Sequence, residues 1–214
     1  AGTTLGVSGA NEAKRVQKEY MQNHRLNIPT LLMADIIHGF RTIFPIPLAL
    51  GSTWDEAAVE KMAEISAKEA AVSGLHVTFS PMVDLVRDPR WGRVMESTGE
   101  DPLLNSRLAA AMVRGYQGEN LKEDNWRVAA CVKHFAAYGG ALAGRDYNTV
   151  DMSERQLREM YLPGYKAGLD AGAKLVMTSF NTVDGIPATG NQWLFRDVLR
   201  NEFGFEGVVI SDWG

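Results

Sequence analysis

Short apolar runs alternate with helix-patterned segments along the whole of this chain, and that alternation limits its fold more than any other feature. The runs are residues 2–7 (GTTLGV), 30–35 (TLLMAD), 75–81 (LHVTFSP), 127–135 (RVAACVKHF), 173–180 (AKLVMTSF) and 207–211 (GVVIS). Helical patterns fill residues 11–24, 55–72, 102–117, the segment opened by Ser153, and 191–203. Ser52 or Thr53 is expected to cap the second of these, Ser153 to open the fourth as in a capping box, and Gly204 to end the last. Strands separated by helices pair in parallel, because only a crossover connection reaches a parallel neighbour, and crossovers are right-handed. A (β/α)8 barrel and a doubly wound sheet both satisfy this. The first credible strand is followed by no glycine fingerprint of a dinucleotide site, and the strand count favours the barrel. The predicted fold is therefore an α/β, TIM-type barrel that is incomplete, with about six of the eight βα units of that architecture. A whole barrel typically takes about 250 residues, and this chain has 214. Residues 1–214 are accordingly expected to be part of one barrel domain, truncated at the end.

Composition narrows the function. With 45% hydrophobic and 22% charged residues the chain can bury an ordinary core. A formal net charge of −4 offers no concentrated basic surface for a nucleic-acid partner. No apolar run approaches the roughly 20 residues of a membrane-spanning helix, so no membrane partner is expected. Cys131 is the single cysteine and cannot form an internal disulfide. His24, His38, His76 and His134 lack metal-ligand spacing, no G-x-S-x-G is present, and no glycine loop offers to cradle phosphate. No metal and no cofactor are expected.

In a barrel, chemistry collects where the strands end, since the βα loops there surround one mouth. Five strand ends of this chain carry suitable groups: Asp35, Asp84, Lys133 with His134, Phe180 with Asn181, and Asp212 with Trp213. Each aspartate alone reads as a cap on a turn or helix. Their coincidence on one predicted face, around a lysine and a histidine, points to a site. Carboxylates and cations of this kind replace water around sugar hydroxyls, and a tryptophan offers a face to a pyranose ring. In RDPRWGRVMESTGED (87–101), Arg87, Arg90 and Arg93 are interleaved with Asp88, Glu96, Glu100 and Asp101, so most of these charges pair internally. Arg93, preceded by a glycine, is the one chosen to reach the mouth.

The stretches DIIHGFRTIFPIPLALGSTWD, FSPMVDLVRDPRWGRVMESTGEDP, VKHFAAYGG, RDYNTVDMSERQLREMYLPGYKAGLDAG, MTSFNTVDGIPAT and GFEGVVISDWG resemble glycoside hydrolase family 3, in its β-glucosidase branch, in order over most of residues 29–214. The resemblance implies a first-domain barrel and a retaining mechanism acting on terminal β-D-glucosyl residues of β-linked glucosides or short β-glucan oligosaccharides. Carried over by motif, Asp212 of S-D-W is the nucleophile. Asp35, Arg93, Lys133 and His134 would hold the sugar, and Met177, Phe180 and Trp213 would form its apolar wall. Phe180 stands where the family often has tyrosine. The acid/base glutamate is implied to come from a C-terminal α/β sandwich domain that this chain lacks. The resemblance also implies a periplasmic or secreted location.

Other readings are a non-catalytic or vestigial sugar-binding barrel, a β-N-acetylglucosaminidase, and a Schiff-base aldolase using Lys133. K-H-F-A-A-Y-G-G lacks the second histidine of the N-acetylglucosaminidase motif, which favours the glucosidase branch. One tension remains in the residues themselves. Successive strand residues face opposite sides, so Lys133 and His134 can share a site only if the backbone near Phe135 is irregular.

Overall fold

The computed structural model describes residues 2–213. Its main sheet has six strands in the order β1 (Thr3–Leu5), β2 (Leu31–Ala34), β3 (Val77–Thr78), β4 (Ala129–Phe135), β5 (Leu175–Thr178) and β8 (Val208–Ile210). Every neighbouring pair is parallel. Spatial order follows chain order, as in a barrel wound one βα unit at a time, and the sheet is an open six-stranded arc of a (β/α)8 barrel. All six expected strands are present, each shorter than its apolar run. The β3 run is cut to two residues, and the chain beyond it follows β4 through single links instead, Cys131 N to Ser80 O and Lys133 N to Pro81 O.

The helices occupy the intervals that their patterns mark. They are α1 (Ala10–Asn23), a short α2 (Pro47–Gly51), α3 (Glu56–Val72), α4 (Pro102–Gln117), then α5 (Glu154–Gln156), which passes through a π-helical turn (Leu157–Tyr161) into α6 (Leu162–Asp170), and a π-helix (Trp193–Glu202). Ser153 caps α5 as expected, its hydroxyl accepting from Gln156 N. Gly204, at φ 66, stands just past the end of the π-helix.

Two local expectations are corrected. The cap of α3 is Asp55, which accepts from Ala58 N at 3.0 Å, and not Ser52 or Thr53. Ser52 instead closes α2, and Thr53 accepts from Asp55 N, so α3 starts at Glu56, two or three residues later than a cap at Thr53 or Ser52 would place it. The hairpin β6 (Thr182–Val183) to β7 (Ile186–Pro187) was not anticipated. Its signal was present as Asp184-Gly185, whose φ values of 50 and 78 are the two positive values that a tight two-residue turn requires.

Strand periodicity sorts the core into two sides. Leu32, Ala130, Val132 and Val176 pack outward into the large cluster shared with the helices, while Met33, Val77, Cys131, Leu175 and Met177 pack together on the inner side. The outer layer is held by close helix contacts and by side chains that bridge to backbone. Gln117 of α4 accepts from Ala130 N and donates to Gly172 O, and Tyr116 donates to Ile36 O at 2.6 Å. These bonds tie α4 to the start of β4, to the chain leading into β5 and to the chain just past β2.

Candidate active site

Counting by twos from the inner residues gives the site's floor. Asp35 follows Met33, Lys133 follows Cys131, Met177 follows Leu175, and Asp212 follows Ile210, so all four fall on the inner parity. They line one cavity of about 1010 Å³, together with Arg93, Glu96, His134 and Trp213. His134 breaks the alternation. The β4–β5 register shifts between Val132 and Phe135, and the Lys133–His134 and Phe135–Ala136 peptide bonds are cis. The irregular backbone demanded by the sequence is present where it was needed, and both side chains face the cavity.

The polar groups form two chains. In the first, the Lys133 ammonium donates to Asp35 Oδ1 at 2.8 Å and lies 4.0 Å from Glu96 Oε2. Glu96 accepts from Arg93 Nε and Nη2 at 2.6 and 2.8 Å. Burial works against the Arg93 charge, but the Glu96 bonds and the nearby Asp84 carboxylate outweigh it and raise its pKa further above the usual arginine range. Arg93 also lies over the Tyr138 ring, 5.7 Å from its centroid. In the second chain, Asp84 Oδ2 lies 2.7 Å from His134 Nδ1, and His134 Nε2 lies 3.5 Å from Asp212 Oδ2. Asp212 Oδ1 accepts from Trp213 N at 2.6 Å. Its Oδ2 is buried and has no hydrogen-bond partner among the described residues.

Seven of the eight residues assigned from the sequence thus meet at one cavity, Trp213 at its rim with 80% of its surface exposed. Phe180 does not line it. It falls on the opposite parity from Met177 and packs against Tyr138 and Tyr147, at 6.1 and 5.0 Å between ring centres. Two residues that matter to the geometry were not assigned. Glu96 was read only as one of several internally paired charges, and its spacing of three from Arg93 on a turn was the available signal. Tyr165, which reaches Asp84 from α6, carries no signal in the sequence, since its partner is 81 residues away. Cys131 is sealed on the inner face, and burial raises its thiol pKa, so it is inert.

The chain has clear relatives. The profile of the glycosyl hydrolase family 3 N terminal domain matches residues 6–214. A periplasmic β-glucosidase of Salmonella typhimurium is 48% identical over 213 residues, covering 100% of this chain and 28% of that protein. A β-xylosidase of Formosa agariphila is 39% identical, over 89% of this chain and 28% of its own length. Among solved structures, a β-glucosidase from Listeria innocua superposes with a TM-score of 0.98 at 63% identity, over 100% of this chain and 30% of that one. It has been crystallised with glucose, with gluconolactone and with isofagomine. The chain therefore spans less than a third of the length of these relatives. Profile, sequence and superposition agree over nearly every residue, and the chain belongs to glycosyl hydrolase family 3.

Proposed function

We propose that this chain forms the sugar-binding floor and supplies the nucleophile of a retaining β-glucosidase. The observation that carries the reading is Asp212. It stands at the end of the last inner strand, with one oxygen held by Trp213 N and the other without a hydrogen-bond partner among the described residues, beside a cavity lined by Lys133, Arg93 and His134. A carboxylate with an uncommitted oxygen in such a place is suited to attack an anomeric carbon. Asp35, Arg93, Lys133 and His134 hold the hydroxyls of the glucosyl unit, and Met177 and Trp213 give its apolar wall. Phe180 contributes from one layer behind, through Tyr138 and Tyr147.

Retaining hydrolysis needs a second carboxyl group about 5–5.5 Å from the first to protonate the leaving oxygen. The other cavity carboxylates are committed, Asp35 to Lys133 and Glu96 to Arg93. By the resemblance to the β-glucosidase branch of the family, the proton donor is a glutamate of a C-terminal α/β sandwich domain. The substrates are β-linked glucosides or short β-glucan oligosaccharides, in keeping with the glucose complex of the Listeria innocua relative. A periplasmic or secreted location accords with the relative described as periplasmic, and no helix among the described residues is long and apolar enough to cross a membrane. The Schiff-base reading is disfavoured because Lys133 is tied as an ammonium between two carboxylates, whereas that chemistry needs a free amine.

The test is covalent trapping. A fluoroglucoside inactivator incubated with the whole protein should leave its sugar on the peptide containing Asp212. Attachment elsewhere, or none, would sink the assignment.

A further inference from the structure

Asp84 is a fully buried carboxylate that the proposed reaction leaves without a role. A charge removed from water is costly unless its lone pairs are used, and here both oxygens are engaged. Oδ2 accepts from the His134 backbone N–H at 3.0 Å and lies 2.7 Å from the ring Nδ1, while Oδ1 accepts from the Tyr165 hydroxyl at 2.8 Å. The phenol is held as a hydroxyl, since burial and then the Asp84 charge raise its pKa well above the ordinary tyrosine value. That hydroxyl also lies 2.5 Å from His134 O and accepts from Ala137 N, tying the carboxylate to the irregular end of β4 from both sides. With an acceptor on Nδ1, the proton of the neutral ring sits there. The variable atom is then Nε2, 3.5 Å from Oδ2 of Asp212.

We propose that Asp84 is a positioning residue that fixes the tautomer and orientation of His134, so that Nε2, beside Asp212, is left as the nitrogen that accepts from a sugar hydroxyl. The inference rests on the reading of Asp212 and His134 given above. It adds a residue that touches no substrate and works through one that does.

The test compares Asp84→Ala and Asp84→Asn in the whole protein on an activated aryl β-glucoside. Asp84→Ala should lower kcat/KM by about 10–100-fold, by analogy with the loss of a group that orients a metal-ligating histidine. Asp84→Asn should recover most of that, because one amide oxygen can still take both His134 donors while the amide NH2 faces the Tyr165 hydroxyl. In a His134→Gln background Asp84→Ala should add no further loss, whereas a merely structural residue would give additive losses. Additive losses, or equal loss in the Ala and Asn variants, overturn the proposal. NMR of the protein carrying nitrogen-labelled histidine, assigned through the signal lost in His134→Gln, reads the tautomer directly. It needs neither turnover nor any Asp84 variant that must fold. A proton on Nδ1 supports the assignment, and a ring protonated at Nε2 alone refutes it. If the wild type fails to hydrolyse the glucoside, the proposed function falls and the NMR result still decides the role of Asp84.

Discussion

The ammonium of Lys133, only 4% exposed, is held 2.8 Å from Oδ1 of Asp35, a carboxylate that is 65% exposed. The pair is asymmetric, and so are the consequences of breaking it. Asp35→Ala strands a buried charge with only Glu96, 4.0 Å away, as a second partner, and should cost about 1–3 kcal/mol of stability. Lys133→Met leaves Asp35 a solvated carboxylate and Glu96 still paired with Arg93, and should cost less than about 1 kcal/mol. Denaturant titration of the two variants measures the order, and a larger loss from Lys133→Met would contradict it.

Arg93 depends on its planar fork. It makes two bonds to Glu96 and lies over Tyr138, neither of which an ammonium can reproduce together. Arg93→Lys should lower kcat/KM on aryl β-glucosides by about tenfold, equivalent to about 1.4 kcal/mol, with most of the change in KM. Steady-state kinetics separates this from a change confined to kcat.

His76 gives the fold a pH dependence away from the cavity. Its Nδ1 accepts from Leu32 N at 2.9 Å, a bond between the starts of β2 and β3 that needs the nitrogen unprotonated. Desolvation lowers its pKa below the ordinary histidine value, although part of the side chain reaches solvent. The unfolded chain then takes up the proton first as pH falls. This contribution is complete above about pH 6.5 and is lost as pH drops from there through the folded-state pKa. Urea unfolding at a series of pH values should show that slope, and His76→Gln should flatten it.

Gly115 lets α4 lie directly against α3. A methyl group there would collide with Glu60 O and come within 2.7 Å of the Ala63 methyl. Gly115→Ala should therefore destabilise by about 1–3 kcal/mol, despite the roughly 1 kcal/mol that alanine gains in an isolated helix. A raised melting temperature would show that the two helices can separate at little cost.

The sequence by itself determined a parallel sheet, since apolar runs alternate with helical patterns, and its strand count with no glycine fingerprint favoured the barrel's winding order over a doubly wound one. It also determined four members of the site. Asp35, Lys133, Met177 and Asp212 follow inner-facing residues by two, and a strand's period alone carries them inward. Tertiary structure decided what periodicity cannot encode. His134 is in the cavity against its parity because β4 is irregular there. Phe180 is behind it because no such irregularity returns it to the inner side, and Glu96 joins the site through a turn that pairs it with Arg93 and sets it 4.0 Å from Lys133. Asp84 and Tyr165 meet only because α6 packs over the end of β4, a contact 81 residues apart in the chain. Period and pattern are local properties of the backbone, whereas the pairing of a buried charge depends on which distant side chains close packing brings within reach.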